Sequence, residues 1–181
     1  MTGEVIADRF ELGRKVGEGG MGTVFTATDG VSGETVALKI LRTGTEAPDV
    51  SEVARFEREA SLLAQLEHPG IVRYVAHGSS GGKIWLAMEW LEGETLDERL
   101  ERQGLTLTES VDVIRQVAEA LEAAHERGVV HRDLKPANLF LVGKDPAALR
   151  VLDFGVARAL GGTALTSTGV AIGTPQYMSP E

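Results

Sequence analysis

The 181-residue chain contains no cysteine. That absence removes disulfides, thiolate nucleophiles and cysteine-ligated zinc together, and it fits a reducing compartment. No apolar run approaches the roughly 20 residues that a membrane-spanning helix needs. The N-terminus, MTGEVIADRF, lacks the charged-then-apolar form of a signal peptide. Cations are the scarcer charge: 18 Lys and Arg against 27 Asp and Glu give a formal net charge of −9. That balance opposes a non-specific grip on nucleic acid and reads most simply as a solvated acidic surface. There is no internal repeat and no low-complexity tract. What is there is globular in composition, 43% apolar and 25% charged, over a length that one domain can occupy.

The first third reads as strands. FELGRKVG, TVFTATDG and ETVALKIL are rich in Val, Thr and Phe, and DGVSGE has the residues of a hairpin turn. After the breaker-rich TGTEAPDVS, the spacing of Val53, Phe56, Ala60, Leu63 and Leu66 predicts a helix over 52–66, closed by His68-Pro69-Gly70. IVRYVAHG and KIWLAMEW read as two more strands around SSGG. Beyond the joint EWLEGET the pattern turns helical. A helix over 108–127 is predicted, with Val111, Ile114, Ala118, Leu121 and His125 on one face, Thr108 as N-cap and Gly128 as C-cap. NLFLV and LRVLDF then read as short strands around GKDPAA. From Gly155 onward the chain is rich in Gly, Thr and Ser and reads as a loop.

Five features carry chemistry. VGEGGMGTVF holds Gly17, Gly19 and Gly22 in G-x-G-x-x-G-x-V spacing, which lets backbone N–H groups approach phosphate oxygens. A dinucleotide site would need a helix directly afterwards, and TVFTATD is β-rich instead. Lys39 ends the strand VALK, where a lysine ordinarily carries its ammonium into water. Glu59 stands at the border of a helical apolar face, where it could face solvent or reach a cation on the sheet. HRDLKPANLF packs Asp133, Lys135 and Asn138 together, too polar a group for an ordinary core. Asp153, in LDFG, follows an apolar strand and could be a plain turn residue. Each has a bland reading by itself; all five, once each and in this order, do not.

Taken together these motifs resemble the protein-kinase catalytic domain, over about residues 9–181. Lys135 in HRDLKPAN is similar to serine/threonine rather than tyrosine kinases, and GEGGMGTVF, HPGIV and GTPQYMSPE resemble the bacterial branch. The resemblance implies an α+β, two-lobed fold. Residues 1–91 would form a lobe with a five-stranded antiparallel sheet and one helix, and 92–181 a partial helical lobe with the catalytic loop, DFG and activation segment. It implies transfer of the γ-phosphate of ATP to Ser/Thr hydroxyls of proteins, with Mg²⁺ and with Mn²⁺ as an alternative metal. Asp133 would accept or orient the hydroxyl proton, and Lys135 would neutralise charge on the transferring group. Asn138 and Asp153 would supply oxygen ligands to the metal. Lys39 would hold phosphates and pair with Glu59. The nucleotide would lie against Val16, Gly17, Glu18, Gly19, Gly20, Met21 and Gly22, with Val24, Ala37, Met88 and Phe140 around the adenine and the backbone of Glu89 and Leu91 on its edge. Leu63, Tyr74, His131 and Phe154 would form a packed stack, making His131 structural rather than a base.

The same resemblance implies regulation. Arg132, beside Asp133, would receive a phosphate on the loop after DFG, with Thr166 and Thr168 as sites ahead of Ser167 and Thr163. Thr174 would shape the peptide site. Ser179 replaces the usual alanine of APE. Glu181 ends the sequence before the remainder of the large lobe, so a fragment of a longer protein is expected, with apolar faces on the long helix lacking cover. A non-catalytic nucleotide-binding or scaffold module is the alternative in another class, and a small-molecule phosphotransferase the third. Expected partners are protein substrates rather than nucleic acid. The expected location is cytoplasmic, with an anchor beyond residue 181 left open.

Overall fold

A computed structural model describes residues 3–19, 22–42, 50–154 and 177, the Glu52 side chain excepted. The expectations for Gly20, Met21, Thr163, Thr166, Ser167, Thr168, Thr174, Ser179 and Glu181 lie outside the described residues. The chain divides into two compact units. One joins Met1–Gln65 to Arg73–Trp90; the other joins Leu66–Val72 to Leu91–Gly155.

The first unit is built from β1 (Val5–Ile6), β2 (Phe10–Gly19), β3 (Gly22–Asp29), β4 (Thr35–Leu41), α1 (Val50–Leu63), β5 (Tyr74–Ser80) and β6 (Lys83–Glu89). Its antiparallel sheet runs β1-β2-β3-β4-β6-β5. This corrects the expected five strands to six. The extra strand, β1, is only two residues long, too short for an alternating pattern to announce it, and it is held because Ile6 joins the core. One sheet face is apolar, with Phe10, Leu12, Ala27, Val36, Leu38, Trp85 and Ala87 buried together, and Phe10 meets Trp85 at 5.2 Å.

The β3–β4 turn is fixed by Asp29. Its buried carboxylate accepts two 2.7 Å bonds from Arg9 and further bonds from the Val31 N–H and the Ser32 hydroxyl. The Arg9 guanidinium is the main reason that this carboxyl stays far below the usual carboxylate range. Helix α1 buries Phe56, Ala60 and Leu63 as its spacing predicts. It stops at Leu63 rather than Leu66, its last turn loosening as the Gln65 N–H reaches back only to Leu62.

The second unit contains β7 (Gly93–Thr95), α2 (Leu96–Arg102), α3 (Leu107–His125), a 3-10 turn (Pro136–Asn138), β8 (Leu139–Val142) and β9 (Leu149–Val151). Its sheet order is β7-β8-β9. Residues 66–72 belong here because Val72 N–H donates to the Val151 carbonyl and Val151 N–H to that of Gly70. Arg99 of α2 is buried and fully engaged, donating to the carbonyls of Gly104 and Lys144 and to Glu94 and Glu109.

Three expectations for α3 are corrected. Its N-cap is Thr106, not Thr108, because Thr106 has a glutamate three residues on, and Glu109 closes a reciprocal capping box. Its buried face is Val113, Val117, Ala120 and Ala124, whereas Val111 is 59% and Ile114 69% exposed, with Ala118 and His125 also exposed. Both stripes have helical spacing. The small-residue stripe wins because it admits close backbone approach: a Cβ on Gly70 would lie 3.2 Å from the Ala120 Cβ. Its C-cap is Glu126, not Gly128, which takes the left-handed conformation (φ 71°) two residues beyond it.

Candidate active site

Strand period assembles the first unit's share of the site. Across the ladders Val24 lies opposite Lys39 and Lys39 opposite Leu86, while Thr26 lies opposite Ala37 and Ala37 opposite Met88. Cross-strand partners share a face and alternate residues return to it. Val24, Ala37, Lys39 and Met88 therefore stand together on the face opposite the apolar core. Lys39 is 6% exposed, so the ammonium does not simply run out into water from the strand end. Glu59 is half-buried on α1, and among the described residues no ion pair joins it to Lys39.

Gly17 and Gly19 share the Val24 face, opposite Val24 and Gly22. A Cβ at either would meet nothing within 4 Å, so the fold itself does not require glycine there. Gly22 differs: with φ 146° its Cβ would sit 2.2 Å from the Ile40 carbonyl oxygen. Val16 is exposed at a bulge in β2. Glu18 lies opposite Thr23, hence on the other face from the two glycines. Glu89 donates its N–H to the Arg73 carbonyl at 2.9 Å and takes the Arg73 N–H on its carboxylate, so its N–H is not open to a ligand. Leu63 and Tyr74 are buried in this unit.

The second unit presents its groups from irregular backbone. Arg132 and Asp153 have φ of 65° and 53°, left-handed values that side-chain-bearing residues rarely adopt. Their chain neighbours make the polar contacts. His131 is buried, accepts the Asp133 N–H on Nδ1 at 3.3 Å and donates from Nε2 to the Leu152 carbonyl at 2.8 Å. Its ring lies 4.8 Å from that of Phe154. Burial pushes the imidazole below its ordinary value, against the pull of the Leu152 carbonyl, so a neutral ring with both nitrogens satisfied fits the site. Leu152 in turn donates its N–H to the Asn138 carbonyl, tying the loop to the strand that leads to Asp153.

Within this frame Lys135 Nζ stands 2.9 Å from Asp133 Oδ2. Asn138 is buried, and its Nδ2 donates to the Asp133 carbonyl at 2.7 Å and to Asp133 Oδ2 at 3.3 Å. Both partners are acceptors, so the amide nitrogen must point at them, which leaves Oδ1 as its oxygen donor for a ligand. Phe140 is half-buried on β8 between Thr95 and Arg150, and Leu91 is half-buried at the start of this unit. Arg132 is exposed. The His131 bonds and the two left-handed residues are not readable from the sequence; the partners of Glu18 have one faint signal, the i,i+3 spacing of Lys15 and Glu18.

Comparison with known proteins identifies the family. A family model described as "Protein kinase domain" matches residues 10–181. The chain is 42% identical over 182 residues to the serine/threonine-protein kinase PknJ of Mycobacterium tuberculosis, covering 99% of this chain and 31% of that protein. It is 36% identical over 181 residues to the probable serine/threonine-protein kinase PknB of Lactococcus lactis, covering 99% of this chain and 28% of that protein. Among solved structures, the kinase domain of M. tuberculosis PknI aligns with a TM-score of 0.76 and 31% identity, over 86% of this chain and 61% of that one. The chain thus spans under a third of the length of these two curated relatives.

Proposed function

Because the chain belongs to the protein kinase domain family and has its α+β fold, we propose that it transfers the γ-phosphate of ATP to serine or threonine hydroxyls of protein substrates. The observation that carries this reading is the cluster in which Asp133 is flanked by Lys135 at 2.9 Å and by the amide of Asn138. In the transfer, the substrate hydroxyl oxygen forms a bond to the γ-phosphorus as the bond to the ADP oxygen breaks. The charge on the phosphoryl oxygens must be compensated and the nucleophile held in line. Asp133 orients the hydroxyl and takes its proton. Lys135, held beside it, supplies a positive charge to the phosphoryl group.

Asn138 Oδ1 and the Asp153 carboxylate are hard oxygen donors of the kind that suits Mg²⁺, or Mn²⁺ as an alternative. When bound, that ion neutralises phosphate charge. Lys39 is proposed as the first unit's phosphate ligand, with Glu59 as its acidic partner. Val24, Ala37 and Met88 are the first unit's apolar surface for adenine; Phe140 and the Leu91 backbone are the second unit's contribution. For Glu89, whose N–H is taken, only the carbonyl is proposed. Thr166 and Thr168 are proposed as autophosphorylation sites whose phosphates Arg132 receives.

The test is transfer of labelled γ-phosphate by the full chain to a generic protein substrate, alongside Asp133→Asn. Transfer should fall by about 10²–10⁴-fold in the variant while Mg·ATP binding persists. Binding without any transfer by the unsubstituted chain would replace this reading with that of a non-catalytic nucleotide-binding module.

A further inference from the structure

Lys15, Glu18 and Arg42 form an ionic cluster on the back of the glycine hairpin. Glu18, between Gly17 and Gly19, pairs through Oε2 with the Lys15 ammonium and through Oε1 with the Arg42 guanidinium at 3.2 Å. The register fixes which side this is. Lys15 lies opposite Phe25, and Phe25 opposite Leu38; Glu18 lies opposite Thr23, and Thr23 opposite Ile40. Arg42 follows Ile40 by two residues. These rows continue the core face of the sheet out to the hairpin, where the apolar side chains end and charged ones take over.

The glycines whose spacing suits phosphate binding stand on the opposite face, with Val24 and Lys39. The link from Glu18 on β2 to Arg42 after β4 also crosses β3 entirely. It therefore ties the hairpin arm to the strand that carries Lys39, a connection that the β2–β3 ladder alone does not make. The Lys15 ammonium first, and Arg42 after it, hold the Glu18 carboxyl below its ordinary range, so it is ionised at neutral pH.

We propose that Glu18 is a positioning residue: by pairing with Lys15 and Arg42 it braces the far side of the glycine hairpin and sets the height at which the Gly17 and Gly19 backbone meets a nucleoside polyphosphate. The inference rests on the nucleotide-binding reading above. It assigns Glu18 no contact with the nucleotide, in place of the direct contact that the motif suggested. All three side chains are about half-exposed, so the effect is modest and salt-sensitive.

The experiment measures binding of Mg·ATP and of adenosine, by calorimetry, to the full chain and to Glu18→Gln, Arg42→Gln and the double variant. The two single substitutions change charge in opposite directions but break the same link. The brace predicts that both raise the Kd for ATP about two- to fivefold and that the double variant is no worse than either. Adenosine, which has no phosphates, should bind all forms alike. Tighter ATP binding by Glu18→Gln with weaker binding by Arg42→Gln would reveal a simple charge effect and overturn the brace. Parallel loss of adenosine binding would reveal a general structural defect and overturn it equally. Should the unsubstituted chain bind neither ligand, the nucleotide reading itself fails. Amide exchange at Gly17 and Gly19 then decides the brace alone: Glu18→Gln must accelerate it, and unchanged exchange refutes the link.

Discussion

The two units hold their candidate site residues by different means. In the first, Lys39, Val24, Ala37 and Met88 project from strands whose backbone is already satisfied by the ladder, and placement follows from a period of two. In the second, Asp133, Asn138 and Asp153 sit on loops and a single 3-10 turn, and placement depends on side-chain bonds to backbone. A sheet can display function on its spare face at little conformational cost. A loop must be pinned group by group, and two of its residues, Arg132 and Asp153, are held at left-handed φ. The contrast teaches that conservative changes should be tolerated on the sheet and punished in the loop.

The sharpest break in that comparison is Asn138→Leu. The shape is kept, but both bonds to Asp133 and the oxygen donor are lost, and single-turnover phosphoryl transfer should fall on the order of a hundredfold or more. Equal activity would mean that the loop is not pinned as described.

On the sheet, the contrast becomes one between glycines. Gly22→Ala drives a Cβ into the Ile40 carbonyl at φ 146° and should cost about 2 kcal/mol in urea unfolding. Gly17→Ala, with open space, should leave stability within about 0.5 kcal/mol.

A titration sharpens the comparison further through one histidine of each unit, the buried His131 and the half-buried His77. Burial lowers both His131 and His77 from 6.5. The unfolded chain therefore takes up their protons first as pH falls, so stability present above about 6.5 declines below it, by up to about 1.4 kcal/mol per pH unit for each. Urea midpoints between pH 7.5 and 5.5 check this, and His131→Gln should flatten the slope. The smallest effect belongs to the β1–β2 turn, where Ala7 and Asp8 take φ of 55° and 53° and the Arg9 N–H closes onto the Ile6 carbonyl. Ala7→Asn, better suited to such a turn, should raise stability by about 0.5 kcal/mol.

Much of the first unit is legible because its signals are local. Strands β2 to β4 show as runs holding Val, Thr and Phe between turn residues, β5 and β6 as apolar-containing runs around SSGG, and α1 as apolar residues at helical spacing. β1 escapes notice because two residues carry no period, and β7 because Gly93-Glu94-Thr95 is polar and glycine-containing. The face of α3 is ambiguous for a different reason: Val111/Ile114/Ala118 and Val113/Val117/Ala120 are equally periodic, and only the neighbour chooses. The N-cap is within reach of the sequence, since Thr106 and Glu109 spell out the capping box and Thr108 does not.

The order and spacing of Gly17, Lys39, Glu59, Asp133, Asn138 and Asp153 determined the family, because spacing along the chain is a property of the sequence. Folding decided what those residues do to one another. It turned the Asn138 amide onto Asp133, buried His131 with its ring nitrogens on two backbone groups, and sent Glu18 to the far face of its hairpin. Those outcomes depend on irregular backbone that carries no period or on the parity of a strand after a bulge. Neither is written in the residues themselves.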